Sequence, residues 1–256
     1  MIREDENEDQ KQHIVNKPMK KQTREKYSVG IACIRIVNKI PEILLICKRY
    51  TYGYNMFVHG RYNSGDTGKI IAMFNGMTVE EKHDILSLNF SQIWYRIWLN
   101  SKHRLGAYFA AKNKFESTFA VDGGLRLRRM IIKSTNSSKI WEIPKGHRAR
   151  NETNIDCAIR EFKEETGISK KHYHIFPATR KQVYIDAGTK YTNTFYFAYT
   201  AEIVEPKIDF GSVDQVCEVS DIRWLSVEQI RLLDATGRLA RQVRPIMHYV
   251  KRKLSL

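Results

Sequence analysis

Long apolar runs are what this chain most lacks. Nothing in its 256 residues approaches the roughly eighteen consecutive apolar residues of a membrane span, so no transmembrane anchor is expected. Residues 1–22 are charged throughout and lack the apolar stretch of a secretory leader. Cysteine is scarce too: Cys33, Cys47, Cys157 and Cys217 are the four, and no two form a Cys-x-x-Cys pair. Zinc and a disulfide framework are therefore not expected; buried, reduced thiols and a cytoplasmic location are. No internal repeat is present. Acidic residues are also in deficit, with 28 Asp and Glu against 43 Lys and Arg, for a net charge of +15.

That deficit is uneven. Over 102–150 the only acids are Glu116, Asp122 and Glu142, against a basic series that begins at Lys102 and Arg104. It continues through Lys112, Lys114, Arg126, Arg128, Arg129 and Lys133. A second basic cluster, Arg238, Arg241, Arg244, Lys251, Arg252 and Lys253, closes the chain, with Pro245 expected to interrupt its amphipathic run. A field of this sign suits a protein that tracks a polyanion, although a generally basic surface would have the same composition.

Acids do gather at one place. Residues 146–168 read GHRARNETNIDCAIREFKEETGI: Gly146, five residues, Glu152, seven residues, then Arg160-Glu161-Phe162-Lys163-Glu164-Glu165-Thr166-Gly167-Ile168. Thr153 or Asn154 can cap a helix start, and Gly167 can end it. Ile155, Ala158, Ile159 and Phe162 recur at helical spacing as an apolar stripe. Glu161, Glu164 and Glu165 are expected to crowd together on another face. Alone, such a cluster would be a solvated acidic surface. Close carboxylates repel, however, and a hard divalent cation reverses the sign of that cost. Arg160 can pair with Glu164 one turn later. Upstream, Trp141-Glu142-Ile143-Pro144-Lys145-Gly146 reads as a short strand ending at Pro144, with Gly146 permitting a tight turn. Lys145 is either a phosphate contact or a solvated loop lysine.

Every defined position of the Nudix box is filled, and the chain is identified as resembling the Nudix hydrolases. The resemblance implies an α/β fold, an α/β/α sandwich, acting on a diphosphate bond with Mg²⁺ or Mn²⁺. It implies that Glu161, Glu164 and Glu165 are catalytic and bind metal together with Gly146, one of the three glutamates being able to help activate water, with Arg160 also catalytic and Glu152 supporting the loop. A later acid often completes such sites. Glu218 is the choice here, beside the strand-like Val219-Ser220-Asp221-Ile222-Arg223-Trp224, with Asp214 its competitor.

The remainder divides as a disordered tail over 1–27, a Nudix domain over 28–56 and 130–256, and a helical insertion over 57–129. A hairpin is expected around Asn38 to Pro41, and Lys48-Arg49 after it could face phosphate or solvent. About a hundred residues then separate the hairpin from the box, far more than a minimal Nudix domain needs. Within them Thr78-Val79-Glu80-Glu81 is a capping box, Ser91 opens a run through Trp94 and Trp98, and a third helix is expected over 105–115. The tryptophan pair favours core packing over base stacking. Strands are expected over 182–185 and 194–201, a capping box at Ser226, and a last helix over 239–253.

The order of hairpin, Met73-Phe74-Asn75-Gly76-Met77-Thr78, Ile93-Trp94-Tyr95-Arg96-Ile97-Trp98 and the box resembles the Nudix decapping enzymes of large DNA viruses. That narrower resemblance implies capped mRNA as substrate, release of 7-methyl-GDP, and action in the host cytoplasm. The basic insertion would hold the RNA body. A methylated guanine is cationic, so an aromatic face is expected, from Tyr184 or its competitor Tyr191. Two other classes stay open: a hydrolase of diphosphoinositol polyphosphates or dinucleoside polyphosphates, and a non-catalytic RNA-binding module. Intact Glu161, Glu164 and Glu165 weigh against the last. The sequence leaves a homodimer open.

Overall fold

Asn38 and Lys39 both take positive φ, 49° and 64°, and so join two strands by a two-residue turn of the twist that hairpins favour. The strands are β1 (Arg24–Val37) and β2 (Ile40–Lys48), paired antiparallel from Val37↔Ile40. The structure, a computed structural model, describes residues 24–99, 105–186, 188–234 and 236–255. Residues 24–27 of the expected tail belong to β1, because they pair with residues 189–192. The rest of that tail, and Lys102 and Arg104, lie outside the described residues.

After β2, six α-helices follow among the described residues: α1 (Tyr52–Val58), α2 (Thr67–Asn75), α3 (Val79–Ser87), α4 (Phe90–Trp98), α5 (Leu105–Phe115) and α6 (Leu125–Ile132). A π-helical turn, Glu116–Ala120, extends α5. Thr78 and Glu81 form the reciprocal capping box of α3 as expected. The helices share an apolar cluster of their own, built around Tyr54, Phe57, Phe74, Trp94 and Phe119. Because that cluster runs from Tyr54 to Ile131, its edges fall outside the expected 57–129 on both sides. Trp94 is buried within it and Trp98 packs against it, their rings 6.1 Å apart, so this pair is core.

The chain then returns to the sheet through β3 (Trp141–Glu142) and β4 (Lys145–Gly146), followed by α7 (Asn154–Thr166). Next are β5 (His174–Asp186), β6 (Thr189–Tyr199), α8 (Val213–Glu218), β7 (Val219–Leu225), α9 (Val227–Leu233) and α10 (Arg238–Lys253). The seven strands form one mixed sheet in the order β3-β2-β1-β6-β5, with β4 on β1 and β7 on β2. Its centre is parallel, β1 lying beside β6 from Arg24↔Thr189 to Ile34↔Tyr199.

Side-chain alternation sorts the layers. Val29, Ile31, Cys33 and Leu44 join Cys157, Ala158 and Phe162 of α7 in one core. Ala32, Ile34, Ile43 and Leu45 join Ile230 of α9 and Leu239, Val243, Ile246 and Val250 of α10 in the other. The result is the expected α/β/α sandwich, each such buried aliphatic contributing about 1.5–3 kcal/mol. Pro245 does not interrupt α10. Its ring lies on the exposed side, so the one lost backbone hydrogen bond is offset by burial of Val243, Ile246 and Met247.

Candidate active site

The loop before α7 is fixed by backbone pairing. Val29 pairs with Gly146 and Gly30 with Lys145. A Cβ on Gly30 would meet the Pro144 carbonyl at 2.0 Å, so glycine lets the loop lie flat on β1. A Cβ on Gly146 would lie 2.0 Å from Cδ of Glu161, so the missing side chain is the space that the carboxylate fills. Thr153 caps α7 through the N–H of Asp156, and Gly167, at φ 74°, ends it.

Arg160 organises what this helix presents. Its Nε and Nη2 donate to Glu152 at 2.8 and 3.0 Å, and Nη2 also reaches the His147 carbonyl at 3.1 Å. Its Nη1 donates to Glu161 and to Glu164, each at 2.9 Å. Glu152 meanwhile accepts from the Ala149 N–H at 2.9 Å, so it braces the loop, as expected. Bonded to Arg160 and that N–H, its carboxyl is held down to about 2.

The three glutamates stand three and four residues apart on α7 but differ in burial. Glu164 is exposed, Glu161 is largely covered, and Glu165 is 4% exposed on the side packed against the sheet. The cause is helical geometry: Glu165 falls three residues after Phe162 and shares its buried flank. One oxygen of Glu165 accepts from the Lys145 N–H at 2.8 Å, and the other, Oε1, is buried with no partner. Burial pushes this carboxyl up to about 8, although Lys48 and Lys145 pull it down. Glu161 is likewise raised, first by burial, then by Glu164 and Glu218, against the opposing Arg160.

Nudix hydrolases use divalent metal ions, and these residues fit one in kind. The donors are hard oxygens, and the orphaned Oε1 of Glu165 is a buried acceptor in want of a positive partner. Among the described residues no three acidic, histidine or cysteine side chains already converge as a ligand set. Arg160 holds two of the carboxylates instead.

Glu218 ends α8 beside this cluster, its charge acting on Lys48, His147 and Glu161, and its carbonyl accepts from the Arg49 N–H at 2.8 Å. Gln215 of the same helix donates to the Glu165 and Lys207 carbonyls, pinning α8 to the end of α7. Asp214 sits a turn earlier and is exposed. Lys145 is not a loop lysine in water: its Nζ lies 2.7 Å from Glu142, which Lys48 approaches at 3.6 Å and the Tyr52 hydroxyl at 2.8 Å. Glu142, Tyr52 and Gln215 have no role legible in the sequence, since Tyr52 and Gln215 meet their partners 90 and 50 residues away. The only sequence signal was that Glu142 is one of three acids in a basic stretch.

The remaining candidates separate. Arg128, Arg129 and Lys133 are exposed on or just after α6. Arg126 instead donates to the Ser64 and Thr118 carbonyls, Lys114 lies over the Tyr62 ring, and Lys112 approaches Glu116 at 3.8 Å. Tyr184 stacks on Tyr191 across β5 and β6, centroids 5.0 Å apart, with Arg238 over its ring at 5.3 Å. None of the four cysteines is in a disulfide; Cys33, Cys47 and Cys157 are buried and Cys217 is half-buried.

A buried carboxylate with an unmet oxygen, a glycine cradle and an arginine clamp define the class. The family model for the NUDIX domain matches residues 123–247, from just before α6 into α10, and so takes in the last helix of the insertion but not β1 and β2. The chain is 31% identical over 90% of its length, and 96% of the relative's, to "mRNA-decapping protein g5R" of African swine fever virus. It is also 31% identical to "Phosphatase NudJ" of Escherichia coli, there over 40% of this chain and 61% of that one. A solved Caenorhabditis elegans Ap4A hydrolase complex aligns at 14% identity and TM-score 0.43, covering 87% and 97% of the two chains. The chain belongs to the Nudix family and is a Nudix pyrophosphohydrolase closely resembling a viral decapping protein. No helix among the described residues is long and apolar enough to cross a membrane.

Proposed function

We infer that the protein removes the 5′ cap of mRNA, hydrolysing its pyrophosphate to release 7-methyl-GDP and leave 5′-monophosphate RNA. The observation that carries this reading is the near full-length similarity to the African swine fever virus decapping protein, which spans the insertion as well as the box. Action in the host cytoplasm follows from the same reading.

In this mechanism Glu161, Glu164 and Glu165, with the Gly146 main chain and Glu218, would hold Mg²⁺ or Mn²⁺. When bound, such an ion offsets charge on the diphosphate oxygens and acidifies an attacking water. Arg160 keeps Glu161 and Glu164 in register and fixes the loop through Glu152 and His147. Lys145 and Lys48 supply positive charge for phosphate. Arg128, Arg129 and Lys133 would hold the RNA body by its phosphates. Tyr184 would offer a face to the methylated base, which must compete with Arg238 for it.

The test is incubation with Mg²⁺ or Mn²⁺ and cap-labelled RNA, with the small products resolved. Free 7-methyl-GDP is expected. Inert capped RNA alongside brisk turnover of an inositol pyrophosphate would overturn the reading.

A further inference from the structure

Three groups from three parts of the fold converge on Glu142. Its side chain is 13% exposed, with Lys145 Nζ at 2.7 Å and Lys48 Nζ at 3.6 Å. The hydroxyl of Tyr52 donates to it at 2.8 Å. Burying a carboxylate is costly unless it is paired, and here two ammonium groups pair with one carboxylate. Each ammonium has three donors, so neither lysine is exhausted by Glu142. The backbone N–H of Lys145 donates to Glu165 at 2.8 Å, so the lysine also borders the acidic cluster.

Tyr52 brings the insertion into this network. The preceding residue, Thr51, donates its N–H and its hydroxyl to Glu81 at 2.6 and 2.7 Å. Glu81 also closes the capping box of α3, accepting from the Thr78 N–H at 3.0 Å. The start of α1 is thereby locked to α3, and the next side chain reaches out of the insertion to β3. The contacts run without a gap from Thr78 through Glu81, Thr51, Tyr52 and Glu142 to Lys145 and Glu165.

We propose that Glu142 is the positioning residue for the phosphate-binding lysines Lys145 and Lys48, and that Tyr52 ties its placement to the helical insertion. The inference rests on the reading of this site as one that cuts a diphosphate. It differs from a sequestering role, in which Glu142 would hold the lysines away from substrate, in the sign of every effect below.

The experiment compares the full chain with Glu142→Gln, Glu142→Asp and Tyr52→Phe. Each is measured for kcat and KM on capped RNA and on diadenosine tetraphosphate, and for binding of non-hydrolysable imidodiphosphate with Mg²⁺ by calorimetry. Glu142→Gln is expected to lower kcat about 10–100-fold, the usual range for a lost supporting partner, and to weaken imidodiphosphate binding about tenfold. Glu142→Asp keeps the charge and should fall between. Tyr52→Phe should lower kcat about two- to tenfold, as for one lost hydrogen bond. Affinity for uncapped RNA should stay close to wild type in all three, which loss of folded protein would not produce; the melting temperature of Glu142→Gln should fall, because two largely covered ammonium groups lose their partner. Unchanged kcat and imidodiphosphate affinity in Glu142→Gln, or tighter binding, overturns the proposal. If the wild type cleaves the dinucleotide but not capped RNA, the decapping reading falls, and the Glu142 comparison is decided on the dinucleotide. If it cleaves neither, imidodiphosphate binding decides it, and absence of that binding overturns both.

Discussion

The site around α7 and the six-helix insertion are built on opposite principles. Around α7, stability is given up: Glu165 is buried with an unmet oxygen, and Glu161 and Glu164 share a single arginine nitrogen. In the insertion the buried aromatic side chains pack on one another, with Phe57 alone touching the rings of Tyr62, Phe74, Phe115 and Phe119. Even a residue expected on its nucleic-acid surface, Arg126, is absorbed into binding backbone carbonyls. The contrast teaches where substitutions should be read as chemistry and where as folding.

The sharpest break in that contrast is Phe57→Ala, which empties a side chain 1% exposed. It should cost about 3–5 kcal/mol of unfolding free energy by urea titration. Gly146→Ala should do the reverse. Its Cβ would displace the Glu161 carboxylate, so hydrolysis should fall by about 10²-fold, a value typical for loss of one preorganised group. Its RNA affinity should match wild type in a filter-binding titration. Both variants failing in the same way would erase the distinction drawn here.

Within the insertion the distinction can be sharpened by charge. Arg128→Ala with Arg129→Ala and Lys133→Ala should flatten the plot of log affinity against log salt by about 0.7 for each RNA phosphate no longer neutralised. Arg126→Ala should leave that slope unchanged and lower the melting temperature, because its partners are carbonyls.

The smallest effect concerns pH. Glu152 falls from an ordinary 4.5 to about 2 in the folded chain, through Arg160 and the Ala149 N–H. A depressed carboxyl contributes stability that is fully present above about 4.5 and is lost as pH falls to about 2. The wild type should therefore lose an advantage over Glu152→Gln across that window, as measured by thermal unfolding at stepped pH. An advantage growing toward acid would contradict the Arg160 clamp.

Much of this contrast was legible beforehand, for reasons of range. Thr153, Gly167, the boxes at Thr78 and Ser226, and the helix over 105–115 are signalled within a few residues of where they act, and the structure has them there. The strand expected over 182–185 extends across His174–Asp186, because β6 pairs along nearly its whole length and supplies order that its own residues do not announce. Helices α1 and α2 were not separately visible: at seven and nine residues they are held by burial of Tyr54, Phe57 and Phe74 rather than by propensity. In the sequence Glu142 is only an isolated acid, since Lys48 and Tyr52 meet it from across the fold.

The site is proposed to cut the cap diphosphate of RNA bound elsewhere on the chain, and that reading stands or falls on one rate. It is tested most directly by the single-turnover rate of 7-methyl-GDP release from capped RNA, wild type against Glu164→Gln. Glu164→Gln should release it more slowly by about 10²-fold or more with RNA affinity unchanged, as for loss of a group that acts only on the reacting centre. A variant that releases 7-methyl-GDP at the wild-type rate would contradict it.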